Sequence, residues 1–107
     1  MKGKTMAAKS IPQRLSEDQI TTALAALDGW SRSGAGDAID KTFEFADFGA
    51  AFAFMTRSAL AAEKMDHHPD WRNVWNKVVV TLSTHDAGGV TERDITQAAA
   101  MNKFAGG

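Results

Sequence analysis

The residues of this chain with the clearest capacity for chemistry are its three histidines, which lie in two short stretches. His67 and His68 are adjacent within EKMDHHPDW, residues 63–71, and His85 closes TLSTH, residues 81–85. An imidazole can give and take a proton near neutral pH, which suits general acid–base catalysis. The sequence therefore predicts an acid–base site formed by these two stretches.

Carboxylates and one indole accompany the histidines. Glu63, Asp66 and Asp94 can orient imidazole rings, and Trp71 offers a flat apolar face. Together these groups would suit a flat, polar heteroaromatic ligand. The sequence contains no Gly-rich phosphate loop, no dinucleotide fingerprint and no nucleophile elbow.

The residues alone leave structural interpretations open. A His-His pair after a helix can be a solvated turn, and Glu63 and Asp66 can simply be solvated. Three histidines can also hold zinc, although their spacing matches no standard zinc motif. Trp71 can be a core or interface residue, and Asp94 stands where a helix-capping box takes a carboxylate.

Length and composition are typical of one small globular domain. The chain has 107 residues, 44% of them hydrophobic, no cysteine and a formal net charge of −1. This balance gives no sign of direct nucleic-acid binding, and no apolar run approaches the roughly 20 residues that cross a bilayer. We expect a cytoplasmic protein with a flexible leader over residues 1–10 and a single domain over 11–105.

Hydrophobic periodicity predicts three helices. A capping box at 16–19 opens the first, over 17–27, and a second box at 91–94 opens the last. Asp47 is the predicted N-cap of the longest helix, over 48–65. The apolar stripe of that helix is predicted to consist of Phe48, Phe52, Met55, Ala59 and Ala62, and the apolar surface is widened beyond this stripe by Ala51, Phe54 and Leu60. Such a helix can cover a sheet and also meet a partner subunit, or it can be packed deeply within the domain.

Alternating apolar residues and turn signals predict four strands, over 30–33, 38–45, 71–75 and 78–85. The order α-β-β-α-β-β-α is typical of an α+β two-layer sandwich, a four-stranded antiparallel sheet with three helices on one face. Such a sheet has unpaired edge strands, which dimerisation could pair.

Proline and strand alternation place the histidines relative to these elements. Pro69 blocks helix continuation, so the longest helix should end at or before His67. One face of the last strand is the more apolar and should meet the helices; it consists of Val78, Val80, Leu82 and Thr84. His85 should therefore lie on the other face or at the strand end, outside the core.

From Ala62 through Asp94 the sequence resembles the pterin-4a-carbinolamine dehydratase family. The motifs that carry the resemblance are EKMDHHPDW at 63–71, NVWNKV at 73–78, TLSTH at 81–85 and TERD at 91–94. The resemblance extends over residues 11–104. It implies the family's fold, a four-stranded antiparallel sheet with helices on one face, which agrees with the predicted order of elements.

The resemblance also implies an activity. The family dehydrates 4a-hydroxytetrahydrobiopterin to quinonoid dihydropterin and water, which recycles the pterin cofactor of aromatic amino acid hydroxylases. It implies a pterin as the small-molecule substrate, no metal and no organic cofactor. It further implies a homodimer or homotetramer and a functional link to an aromatic amino acid hydroxylase.

The family's functional residues match positions of this sequence. The resemblance assigns catalysis to His67, His68 and His85. It assigns substrate binding to Glu63, Asp66, Trp71, Ser83, Thr84, Asp86 and Asp94. We expect His68 and His85 to be the main proton carriers, with His67 binding the pterin or serving the other hydroxyl stereoisomer.

A second class of function comes from the same resemblance. Family members can act as oligomerisation partners of other proteins, including a dimerising homeodomain transcription factor in animals. The apolar surface of the helix over 48–65 would serve such a role. A pure binding module has no need of three histidines, so their joint presence favours the enzyme.

Overall fold

The computed structural model describes residues 12–106, and its elements follow the predicted order. The bounds are α1 Glu17–Ala25, β1 Ser31–Ser33, β2 Ala38–Glu44, α2 Phe48–Met65, β3 Asp70–Val74, β4 Lys77–Leu82 and α3 Glu92–Gly106. A short 3-10 helix, His85–Ala87, follows β4. The predicted leader over residues 1–10 lies outside the described residues.

The four strands form one antiparallel sheet in the order β1-β2-β4-β3, so β4 is central. On its two sides Thr81 pairs with Asp40 of β2 and with Asp70 of β3. The start of β2, the start of β3 and the end of β4 therefore meet at one end of the sheet. The predicted α+β fold with a four-stranded antiparallel sheet is confirmed.

The core lies between the sheet and the helices. The predicted inner face of β4 is buried: Val78, Val80, Leu82 and Thr84. From α2, the fully buried Phe54 packs on Phe43 of β2 with ring centroids 4.6 Å apart. Buried aromatic pairs of this kind hold a helix at a fixed distance from its sheet.

The predicted apolar stripe of α2 is largely wrong. Phe48 and Phe52 are 49% and 55% exposed, and Ala59 is exposed as well. The buried face consists of Ala51, Phe54, Ser58 and Ala62. Ala62 belongs to the predicted stripe, whereas Ala51 and Phe54 belong to the predicted widening beside it. Both sets have helical spacing, so periodicity alone could not choose between them. Alanine and serine favour the inner face because small side chains let a helix approach the sheet closely.

Two further boundaries differ from the predictions. The first helix ends at Ala25 rather than at residue 27, because the next amides bond three residues back, Ala26 to the Ala23 carbonyl and Leu27 to that of Leu24. Such a tightened last turn is the usual way in which a helix ends. Lys77, predicted in a bend, pairs with Glu44 and belongs to β4.

The strand limits and the inner face of α3 also differ slightly. The strands predicted over 30–33, 38–45, 71–75 and 78–85 begin or end up to three residues from the observed bounds. The spacing in α3 predicts an inner face of Ile95, Ala98, Ala99 and Asn102, helped by Met101 and Phe104. Ala98 and Met101 are buried as predicted, but Ala99 is exposed and Gln97 is buried in addition. The inward face is therefore rotated from the predicted one, and the reason is polar: Asp94 and Gln97 make buried hydrogen bonds.

An ion pair at the surface ties the start of α1 to β1. Arg32 donates to both carboxylate oxygens of Glu17, at 2.9 and 3.1 Å. These hydrogen bonds and the charge of Arg32 lower the pKa of the Glu17 carboxyl. A lowered folded-state pKa means that the stabilisation exists above the unfolded pKa and is lost as the pH falls through the folded pKa.

We expect Glu17→Gln to lower the thermal midpoint slightly near neutral pH and to have no effect in strong acid, where Glu17 is protonated. Thermal unfolding followed by circular dichroism across the pH range measures this. Asp18→Asn is the matched control, because it removes the neighbouring carboxylate of the first turn and leaves the Arg32 contact intact. An equal loss in both variants would contradict the assignment to this ion pair.

Candidate functional site

The His67-His68 pair follows directly on the end of α2, as predicted. Asp66 caps the helix in the left-handed region with φ 54°, and the His67 amide donates to the Ala62 carbonyl at 3.0 Å. This closes the last turn and turns the chain away from the helix axis. Pro69 then prevents the helix from resuming. The two imidazoles leave this turn in different environments, one buried and one exposed.

His67 is buried and is held by a buried carboxylate. Its Nε2 lies 2.6 Å from Asp94 Oδ1 of α3. The other oxygen of Asp94, Oδ2, accepts from the Thr91 amide and from the Thr84 hydroxyl, both at 2.9 Å. With its oxygens accepting on both sides, the carboxylate makes Nε2 of His67 a donor.

Asp94 therefore caps α3 and orients His67 at once. The Thr91 hydroxyl accepts from the Arg93 amide at 3.2 Å and lies 2.7 Å from the Thr84 hydroxyl, so the Asp94 carboxylate and both threonine hydroxyls have partners. A fully satisfied buried network is rigid, whereas a partly satisfied one is costly. The capping role and the orienting role that the sequence left as alternatives for Asp94 are both present.

The second nitrogen of His67, Nδ1, has no hydrogen-bond partner among the residues that the structure describes. Because Nε2 is committed to Asp94, Nδ1 is the nitrogen that can exchange a proton with a ligand. The backbone of His67 is fixed as well, since the buried Gln97 side chain of α3 donates to its carbonyl at 2.9 Å. The ring is thus fixed in position and in tautomer.

The other two histidines are exposed. His68 Nε2 lies 3.0 Å from Glu63 Oε1, one turn back on α2. His85 begins the 3-10 helix after β4, outside the core as the strand alternation predicted. Exposed imidazoles can rotate to contact a ligand, whereas the ring of His67 is held by Asp94.

All three histidines line one open pocket of about 690 Å³ at the end of the sheet where β2 and β3 begin and β4 ends. Its walls are Asp37, Ala38, Asp66, His67, His68, Pro69, Asp70, Thr81, Ser83, Thr84, His85, Asp86 and Arg93. A pocket of this size holds a small organic molecule. Imidazoles that come from two separate elements, the turn after α2 and the 3-10 helix after β4, can contact such a molecule together.

The predicted substrate-binding residues fall into three groups according to their position relative to the pocket. Several line the pocket with the histidines: Asp66, Ser83, Thr84 and Asp86. Glu63 and Asp94 do not line it, but each is bonded to one of its imidazoles. Trp71 stands apart, because it pairs with Val80 on the inner face of the sheet and packs against the core. Its assignment to substrate binding stays a prediction, and within this chain its contacts are those of a core residue.

Some pocket residues were not found from the sequence. The presence of Thr81 and Asp70 in the pocket is explained by the strand register. The two residues pair across β4 and β3, close to the ends of those strands from which the histidines come. Asp37 comes from the β1–β2 turn, where Ser83 donates to its carbonyl at 2.9 Å. Local pattern could not place that turn beside the histidines, because its position depends on the β2–β4 pairing.

Two observations bear on other kinds of site. In residues 12–106, no three histidine, aspartate or glutamate side chains are arranged to hold a metal ion. None of the helices in that range combines the length and the hydropathy of a membrane-spanning segment.

Comparison with known proteins assigns the chain to a family. The family model for pterin 4 alpha carbinolamine dehydratase matches residues 13–104. The chain belongs to this family. That range contains every pocket residue, and it agrees with the extent of the resemblance seen in the sequence.

Relatives of similar length share well over half of their residues with this chain. A Mesorhizobium japonicum protein is 60% identical over 95 residues, which cover 89% of this chain and 97% of that protein. One from Nitrobacter hamburgensis is 59% identical over 93 residues, which cover 87% and 92%. Both bear the name "Putative pterin-4-alpha-carbinolamine dehydratase".

Two solved structures share the fold of this pterin dehydratase family member. A "transcriptional coactivator/pterin dehydratase" from Brucella melitensis aligns with a TM-score of 0.85 and 52% identity, covering 87% of this chain and 99% of that one. A pterin dehydratase-like protein identified as a RuBisCO assembly factor of the alpha-carboxysome aligns with a TM-score of 0.63 and 25% identity, covering 73% and 90%. The fold therefore carries more than one role among its members.

The buried Asp94 network predicts a stability effect. We expect Asp94→Asn to lower the free energy of unfolding by about 1–3 kcal/mol, because an amide nitrogen cannot accept from the Thr91 amide or from His67. Urea denaturation measures this. Glu63→Gln, which alters the exposed partner of His68, is the control and should stay within about 0.5 kcal/mol of the wild type. Equal losses in the two variants would show that burial of the network does not matter.

Proposed function

We propose that this chain is a cytoplasmic 4a-hydroxytetrahydropterin dehydratase, which converts the 4a-carbinolamine to quinonoid dihydropterin and water. The observation that carries the proposal is the convergence of His67, His68 and His85 on one pocket. Membership of the pterin dehydratase family supports the substrate class. On this proposal the product feeds the regeneration of the pterin cofactor of aromatic amino acid hydroxylases.

The reaction needs two proton movements and no redox step. The hydroxyl at C4a leaves as water after it takes up a proton, and the neighbouring ring N–H loses a proton as the C=N bond forms. General acid–base groups typically contribute about 10²–10⁴-fold to such a step. Two imidazoles that line one pocket can serve as the acid and the base.

The environments of the histidines support a division of labour. His68 and His85 are exposed and can reorient, which suits the two proton carriers. His67 is fixed by Asp94, with Nδ1 as its free nitrogen among the described residues. We assign His67 to holding the pterin ring or to serving the other hydroxyl stereoisomer. A hydrogen-bonding group that is fixed in place can position a bound ring, but it cannot move with the reacting atoms.

The proposal predicts that His68→Ala and His85→Ala each slow dehydration by about 10²–10⁴-fold. Stopped-flow absorbance on freshly generated 4a-hydroxytetrahydropterin measures this. Arg57→Ala, an exposed change on α2 outside the pocket, is the control and should keep full activity. Wild-type protein that dehydrates the carbinolamine no faster than solvent does would exclude the function, and full activity in His68→Ala would exclude the division of labour.

A second candidate function, assembly with other protein chains, is favoured by one surface. Phe48 and Phe52 on α2 are exposed, and their rings are tilted by 34° with centroids 5.7 Å apart. Leu60 of the same helix is 69% exposed. Large exposed apolar side chains on one helix typically mark protein–protein contact sites. We propose that this aromatic pair forms the contact of a homodimer or homotetramer.

We expect Phe52→Asp to reduce the molar mass in solution to a lower oligomeric state, because an unpaired charge in an apolar interface is costly. Size-exclusion chromatography with light scattering measures this. Arg57→Glu changes a charge on another face of α2 and should leave the mass unaltered. A wild type that is monomeric throughout the concentration range would contradict a homo-oligomeric role for this surface.

A further inference from the structure

The pocket walls carry an excess of negative charge that the dehydration chemistry does not use. Asp37, Asp66, Asp70 and Asp86 line the pocket, and all four are exposed. Arg93 is the one lysine or arginine among the described residues that line the pocket. Asp66 has an interaction of its own, so it is left out of the charge count. With the histidines counted as neutral, the other three aspartates and Arg93 give the described lining a formal excess of two negative charges. Glu63, bonded to His68, adds a further carboxylate.

These carboxylates are held in place by the fold. Asp37 is held through its carbonyl by the Ser83 hydroxyl, at 2.9 Å, which joins the β1–β2 turn to the chain after β4. Asp70 is paired with Thr81 at the start of β3, and Asp86 lies within the 3-10 helix. The negative charge therefore comes from three separate elements around one opening, and no single loop movement removes it.

From this arrangement we infer that the pocket selects among pterins by charge and disfavours a substrate whose side chain is phosphorylated or otherwise anionic. The inference rests on the proposed function, and it adds a discrimination against anionic substituents.

The selection does not depend on a particular orientation of the pterin ring. Any substituent on a ring that contacts the histidines stays within about 10 Å of the walls, which is the screening length at roughly 0.1 M salt. An anionic substituent is therefore repelled wherever it points. Carboxylates are acceptors only, so a hydroxylated side chain can donate to them while a phosphate cannot.

Arg93 is the one described lining residue whose charge would favour an anionic ligand. Its guanidinium has no ion-pair or side-chain hydrogen-bond partner among the described residues, and it reaches the same pocket. A guanidinium can bind a phosphate through two parallel hydrogen bonds. The carboxylates of Asp37, Asp70 and Asp86 outweigh it in net charge, so we expect Arg93 to bind a neutral oxygen of the ligand. Preferential binding of the phosphorylated ligand would show that Arg93, and not the carboxylates, determines the charge preference of the pocket.

The test uses a matched pair of stable ligands, 7,8-dihydroneopterin and its 3′-monophosphate, which differ only in the phosphate. Fluorescence titration of the full-length protein gives both dissociation constants. We expect the phosphate to bind about tenfold more weakly or worse at low salt, with the gap shrinking as salt rises. Asp37→Asn and Asp70→Asn should each narrow the gap. Asp28→Asn, an exposed aspartate outside the pocket, should leave it unchanged.

The outcomes separate this inference from the proposed function. Equal or tighter binding of the phosphate, or a gap that the pocket variants do not alter, overturns the charge selection alone. Tight binding of dihydroneopterin without any dehydratase activity overturns the proposed reaction and leaves the selection standing. Failure of dihydroneopterin to bind overturns both, because the pocket would then not be a pterin site.

Discussion

The buried carboxylate of Asp94 is the group on which the site depends most. It starts α3 by accepting from the Thr91 amide, ties β4 to α3 through the Thr84 hydroxyl, and holds His67 at 2.6 Å. Each contact compensates for burying the charge, since an isolated buried carboxylate would be strongly unfavourable. One group thus joins secondary structure, tertiary packing and the orientation of an imidazole. The site is therefore part of the domain's core rather than an addition to its surface.

The strand order explains why the remaining pocket residues meet. In an antiparallel sheet with β4 in the centre, residues that begin β2 and β3 lie beside residues that end β4. Asp37, Asp70 and His85 are far apart in the chain and reach one opening for this reason alone. The turn after α2 reaches the same opening because α2 packs across the sheet through Phe54 and Ala62.

Local signals predicted much of this arrangement. The Ser16 capping box, the Asp47 cap and the end of α2 before His67 each depend on a few neighbouring residues, and all are present. The inner face of β4 followed from alternation, which has a single solution once one face is apolar.

The inward face of α2 could not be predicted from periodicity, because Phe48 and Phe52 are apolar and helically spaced yet exposed. Which of two apolar stripes packs inward depends on the fit to the sheet, and periodicity does not contain that information. Asp37 was missed for a related reason, since only the strand pairing places it in the pocket.

The aromatic surface of α2 and the histidine pocket are far enough apart to act independently. Phe48 opens the helix, and His67 follows directly after its end; 18 residues of α-helix span about 27 Å. A partner bound at the Phe48–Phe52 pair would leave the pocket open to a small ligand. It would also bury a helix whose far end carries the turn of His67. Binding there can therefore stabilise the site without occupying it, which is compatible with a fold whose solved examples include a transcriptional coactivator/pterin dehydratase and a RuBisCO assembly factor.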